Sequence, residues 1–139
     1  MNNILWFKTG DIGKIHKNGT IEIIDRKKDI VKMSTGEYLS YAKVENIIKE
    51  LKYIDNCMLF VNEKYNKHPL CIISLVNDDN INKDDLKKNI HNICKDKLLK
   101  KFEIPDKFIF SDIIWTSDNN LLTSSFKLKR LNILKYYKI

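Results

Sequence analysis

Apolar positions change their period several times along the chain, and each change predicts an element. Near the start, Ile12, Lys14 and His16 alternate with Gly13 and Ile15. Lys17-Asn18-Gly19 supplies a turn, and Thr20-Ile21-Glu22-Ile23-Ile24 returns as a second strand. Such a hairpin is marginal alone in water and needs another surface to lie on. Five consecutive charged residues, Asp25 to Asp29, then interrupt the apolar pattern, as a hinge or domain boundary does. The simpler reading of the same run is an exposed loop. A short strand at Ile30-Val31-Lys32-Met33 follows, and Gly36 offers a turn. Ser40 is placed to cap a helix whose Val44, Ile47, Ile48 and Leu51 share one face.

Two further strands are expected at Cys57-Met58-Leu59-Phe60-Val61 and at Leu70 to Val76, joined by a polar loop from Asn62 to Pro69. A second helix is expected from about Lys83 to Lys100, with Leu86, Ile90, Ile93, Cys94 and Leu98 on its buried face. Ile104-Pro105 stops it, and Lys107-Phe108-Ile109-Phe110 reads as another strand. The polar stretch Thr116 to Asn120 leads into Leu121 to Lys127 and a final basic helix. The order predicts an α+β domain, a short mixed sheet flanked by about three helices, with the hairpin attached in front.

Composition narrows what such a domain can be. At 139 residues with 43% apolar and 10% aromatic content, the chain is one domain in size and can build a core, which excludes wholesale disorder. No run of 18 apolar residues occurs and the beginning lacks a leader pattern, so neither a spanning helix nor a secretory signal is expected. An intracellular place is expected instead, in the cytoplasm or on the cytoplasmic face of a membrane. The three cysteines, Cys57, Cys71 and Cys94, suit neither a disulfide framework nor a zinc site and are expected to be buried thiols. His16, His68 and His91 are isolated, so no metal site is expected. With four glycines and no phosphate-cradling loop, the chain does not hold a complete nucleotide site.

Charge is concentrated at one end. Of the formal net +7, residues 127–139 supply five basic side chains and no acid, leaving +2 for everything before them. A basic terminal helix of this kind admits a binding module for nucleic acid or an anionic membrane surface, although aromatic residues are not interleaved as stacking platforms. Lys, Ile and Asn are over-represented, as AT-rich codons would produce, so lysine counts are a poor guide. Arginine occurs only at Arg26 and Arg130. A guanidinium retained in such a background suggests a planar, two-pronged partner.

Two stretches carry the sharpest signal. The first is Trp6-Phe7-Lys8-Thr9-Gly10-Asp11-Ile12-Gly13, continued after the hairpin by Asp25-Arg26-Lys27-Lys28-Asp29-Ile30-Val31-Lys32 and Thr35-Gly36-Glu37-Tyr38. The second is Leu121-Leu122-Thr123-Ser124-Ser125-Phe126-Lys127-Leu128-Lys129-Arg130. In this order, from Trp6 to about Arg130, they resemble the adenylate-forming enzymes, and within them the long-chain fatty acyl-CoA synthetases. Three departures stand out: Leu5 and Asn120 replace family glycines, and Ser124 stands where proline is usual.

The resemblance implies a lid domain, residues 28–139, behind a hairpin, residues 1–27, that ends a large amino-terminal domain. In such enzymes a fatty acid and ATP give an acyl-adenylate, and coenzyme A then takes the acyl group. ATP, Mg²⁺ and coenzyme A belong to the complete enzyme, and none is expected to stay tightly bound to this piece alone. The expected partners are these substrates and the large domain itself. No nucleic acid is expected, and peripheral membrane association is compatible with the pattern. The implied roles are ribose or phosphate contact for Asp11 and Arg26, the hinge for Lys28, the coenzyme A side for Gly36 and charge stabilisation in adenylation for Lys127. Each has a plainer alternative: a turn residue for Asp11 and Gly36, a partner of Asp25 or Asp29 for Arg26, a solvated lysine for Lys127.

Overall fold

The computed structural model describes residues 5–62, 68–76 and 80–139. Most of the expected loop between Asn62 and Pro69, and residues 1–4, lie outside the described residues. Strand β1 (Asp11–Ile15) pairs antiparallel with β2 (Ile21–Arg26), forming a hairpin that is a sheet of its own. Asp25 and Arg26 therefore continue β2, and the charged run leaves the extended conformation only at a 3-10 turn, Lys27–Asp29. The hairpin keeps Ile15, Ile21, Ile23 and Ile24 exposed. Its side-chain link to the body is Asp25, which accepts a hydrogen bond from the Ser40 hydroxyl.

Strand β3 (Ile30–Lys32) pairs with β4 (Tyr38–Ser40), a strand the sequence pattern does not reveal. Three residues with only Leu39 fully buried give too short an alternation to stand out. Helix α1 (Tyr41–Ile48) begins where expected, with the Ser40 hydroxyl accepting from the Lys43 amide at 3.2 Å. It ends before Leu51, which packs on the core from the turn that follows.

The main sheet is mixed, as expected. β5 (Ile54–Phe60) runs antiparallel to the central β6 (Leu70–Leu75), and β7 (Lys107–Phe110) runs parallel to β6. A parallel neighbour needs a crossover, and helix α2 (Lys83–Asp96) supplies it. The side-chain alternation divides the core in two. Cys57, Leu59, Cys71 and Ile73 face α1 and α2, together with Val44, Ile48, Leu86 and Ile90. Met58 and Ile72 face the other way, onto Trp115, Leu121, Leu122 and Ile133 of helix α3 (Arg130–Tyr136) and the segment before it. β6 is covered on both faces, which explains the apolar run Leu70-Cys71-Ile72-Ile73 and the burial of Ser74 after it.

The end of α2 corrects the expected register. Leu98 is not on the buried face: it adopts φ +59° and is 87% exposed, while Leu99 goes inward. The Leu98 amide donates to the Lys95 carbonyl and the Leu99 amide to the Cys94 carbonyl, both at 2.9–3.0 Å. This closure needs one residue in left-handed backbone, and glycine is the usual occupant. A side chain with a Cβ costs roughly 1–2 kcal/mol there.

β5 is an edge strand, and its outer backbone groups are capped by side chains. The buried Glu45 of α1, 4% exposed, accepts from the Leu59 amide at 2.7 Å. Arg130 donates from both terminal nitrogens to the two Glu45 oxygens at 2.8 Å, and to the Leu59 carbonyl at 3.3 Å. Its guanidinium also lies 4.9 Å from the Tyr41 ring centroid, and the Tyr41 hydroxyl receives the Val61 amide. Burial works against the Arg130 charge, and the Glu45 carboxylate restores it.

Two outcomes are expected in thermal or denaturant unfolding of the chain. Arg130→Lys keeps the charge but loses the fork, and lowers stability by about 1.5–3 kcal/mol, the worth of a hydrogen bond to a charged group. Leu98→Gly removes left-handed strain at an exposed site and raises stability by about 1 kcal/mol, a melting-point gain of about 4 °C.

Candidate functional site

The hairpin register sets Asp11 directly opposite Arg26, so two of the expected site residues are brought together at one end of the ribbon. Arg26 Nε lies 3.7 Å from Asp11 Oδ1, and its side chain remains 64% exposed. That separation is longer than a hydrogen bond, so the pair attracts without closing the fork. Asp25 takes a different role from the plainer alternative, accepting from the Arg26 amide at 2.7 Å. The Lys27 amide donates to the Gly10 carbonyl at 2.7 Å, which holds the approach to β1 against the exit from β2. A cleft of about 510 Å³ opens here, lined by Thr9, Gly10, Arg26, Lys27 and Lys28. Hydroxyls or phosphate oxygens suit a carboxylate and a guanidinium placed side by side in this way.

Lys28 is exposed within the 3-10 turn that joins the hairpin to β3. It also lines a second cleft, of about 430 Å³, with Asp29, Asp55, Phe126 and Lys127 among its walls. The structure thus gathers Lys28 and Lys127 at one cleft and Asp11 and Arg26 beside another. Gly36 lies away from both, at φ +87° in an exposed loop where a Cβ would meet nothing within 4 Å. Backbone conformation, rather than close approach within this chain, is what requires glycine there.

Lys127 does not belong to the terminal helix, which starts three residues later. It closes a tight loop whose design occurs three times among the described residues. Thr123 donates to the Lys127 carbonyl at 2.8 Å, and the Phe126 amide returns to the Thr123 carbonyl at 2.9 Å. His16 and Thr20 bracket Lys17-Asn18-Gly19 with the same bonds, and Met33 and Glu37 bracket Ser34-Thr35-Gly36. Three-residue loops of this kind end in a left-handed residue, here Gly19, Gly36 and Phe126 at φ +84°, +87° and +61°. The third loop is further fixed by the Thr123 hydroxyl, which accepts from the Lys127 amide at 3.0 Å. Leu122 bridges to Leu128 at its base, and the Lys129 amide donates to the Leu121 carbonyl at 2.9 Å. Lys127 itself is exposed.

The residues after Lys127 face inward. Lys129 donates to the Asn120 side chain, and Arg130 is held by Glu45. Sequence reasoning missed Glu45, whose only signal was a carboxylate beside the apolar stripe of α1. Cys57, Cys71 and Cys94 are all buried, and burial, with Cys57 and Glu103 nearby, pushes the Cys94 thiol up to about 11. Thiols held that far from ionisation are poor nucleophiles at neutral pH. Among the described residues no group of three or more His, Cys, Asp or Glu is arranged to hold a metal ion. No helix among them is long and apolar enough to cross a membrane.

Comparison with known proteins gives clear likenesses. No protein-family model matches the chain. It is 33% identical over 156 aligned positions to fatty acyl-CoA synthetase B of Dictyostelium discoideum, covering 96% of this chain and 23% of that protein. It is 34% identical over 161 positions to long-chain-fatty-acid–CoA ligase 2 of Schizosaccharomyces pombe, covering 95% of this chain and again 23% of the relative. In three dimensions it superposes on the adenylation and carrier-protein didomain of a carboxylic acid reductase from Segniliparus rugosus, solved with AMP. The TM-score is 0.81 at 20% identity, over 94% of this chain and 19% of that one. The chain therefore spans less than a quarter of the length of the proteins it matches. Sequence and fold agree: nearly the whole chain is similar to a part of long-chain fatty acyl-CoA synthetases, and its fold is one found in adenylate-forming enzymes.

Proposed function

We propose that the chain is the moving lid of an AMP-forming ligase that joins a long-chain fatty acid to coenzyme A. In this reading residues 1–27 finish the large domain, residues 28–139 form the lid, and Lys28 is the point about which the lid turns. A charged side chain suits a hinge, because it stays solvated while the backbone around it changes. ATP supplies the adenylyl group when bound. Asp11 and Arg26 hold its ribose or phosphate oxygens, and the open fork of Arg26 is the geometry that favours this. Lys127 brings an ammonium to the oxygens between the acyl carboxylate and the phosphate, where negative charge gathers as pyrophosphate leaves. Gly36 then turns toward the coenzyme A side. In this reading Mg²⁺ is held by the large domain.

The observation that carries this reading is the setting of Lys127: an exposed lysine on a doubly bonded loop, sharing one cleft with Lys28. A loop closed so firmly keeps its lysine in one place relative to the lid, which charge stabilisation by position requires. AMP in the carboxylic acid reductase neighbour supports nucleotide chemistry for this fold. The reading as a basic binding helix is weakened by the structure. Of the five basic residues in 127–139, Lys129 and Arg130 already serve internal partners.

Two measurements test the proposal. The 139-residue chain alone is expected to form no acyl-adenylate from ATP and a long-chain fatty acid, and to restore the reaction when joined to the large domain. In the full-length protein, Lys127→Ala is expected to slow adenylation about 10²- to 10³-fold. Thioester formation from supplied acyl-adenylate should change far less, and equal losses in both half-reactions would remove the role given to Lys127.

A further inference from the structure

The Lys127 loop contains a feature that the lid reading leaves unused. Phe126 occupies the left-handed position that the two sister loops fill with Gly19 and Gly36, and the residue is 78% exposed. Two penalties coincide there: a Cβ in left-handed backbone and an apolar ring in water. Leu98 has the same pair of penalties at the end of α2, so scarcity of glycine can by itself put an apolar residue in such a place. What separates Phe126 from Leu98 is location. Phe126 is joined by a peptide bond to Lys127 and lines the cleft that holds Lys28 and Asp29. Outlying backbone conformations kept beside a reacting group point toward function.

We infer that Phe126 is a docking side chain, packing on the missing large domain when the lid presents Lys127 to the reacting phosphate. The curated relatives extend over roughly four times the length of this chain, so a large surface is there to receive the ring. On the tip of a loop anchored at its base through Leu122, Leu128 and Lys129, one seated ring fixes how deeply its neighbour reaches. Phe126 is then a positioning residue: it touches neither substrate nor nucleotide and acts through Lys127. This inference builds on the lid reading, yet it can fail separately.

The test uses the full-length protein with Phe126→Gly, Phe126→Leu and Leu98→Gly, read as the two half-reactions and the KM for ATP. Phe126→Gly relaxes the loop, so loss of folding cannot mimic loss of docking. It is expected to lower the adenylation kcat about tenfold or more, as removal of a buried ring would. Thioester formation from acyl-adenylate and the KM for ATP should stay within about twofold, and Phe126→Leu should recover most of the rate by restoring apolar bulk. Leu98→Gly, which relieves the same strain elsewhere, should change neither half-reaction. Unaltered adenylation in Phe126→Gly overturns the inference. So does a raised KM for ATP at unchanged kcat, which would make the ring a nucleotide contact. If Lys127→Ala is crippled while Phe126→Gly is not, only this inference falls; if neither matters, the lid reading falls as well.

Discussion

One carboxylate, Glu45, connects the parts of this fold that must agree. It lies on α1, receives the outward amide of edge strand β5 at Leu59 and takes both prongs of Arg130 at the start of α3. α1 covers one face of the sheet and α3 the other, so the contact passes round the β5 edge and ties the two cores together. An exposed edge invites pairing with another chain, and covering its backbone groups with side chains removes that invitation. The energetic lesson is asymmetric. A buried ion pair adds little net stability over an apolar substitute, but removing one partner strands a charge where water cannot reach it. Here the pair also has a positional consequence, since Arg130 is three residues beyond Lys127.

Much of this architecture was legible in the chain because periodicity and burial agree. The β6 run Leu70 to Ile73 is apolar because both faces are covered, and Ser40 caps α1 with the hydroxyl its position suggested. The misreading at the end of α2 has a physical cause. α2 was expected to continue through Leu98 because leucine at that spacing looks like another buried rung. The chain instead turns left-handed at Leu98, a conformation normally announced by glycine, and this sequence has few glycines with which to announce it. Phe126 and Lys138 adopt the same backbone sign, so part of the turn chemistry in this protein is carried by residues that do not advertise turns.

The site was legible to a different degree. Asp11 and Arg26 were singled out separately, and only strand pairing shows that they face one another. Scarcity of arginine correctly pointed to two-pronged recognition, but for Arg130 the recognised group is internal, a carboxylate 85 positions away in the chain. No local pattern could supply that partner, because its only mark was a single acid beside an apolar stripe. The repeated loop design was also hidden, since Lys17-Asn18-Gly19, Ser34-Thr35-Gly36 and Ser124-Ser125-Phe126 share hydrogen bonds and little composition.

The hairpin in front has a practical side. Its isoleucines project from a two-stranded ribbon that forms a sheet of its own. Left uncovered, a ribbon of this kind is a template onto which further copies can add strand by strand. For the piece in isolation, clumping through its first two dozen residues would then set the usable concentration well before the body of the fold melted.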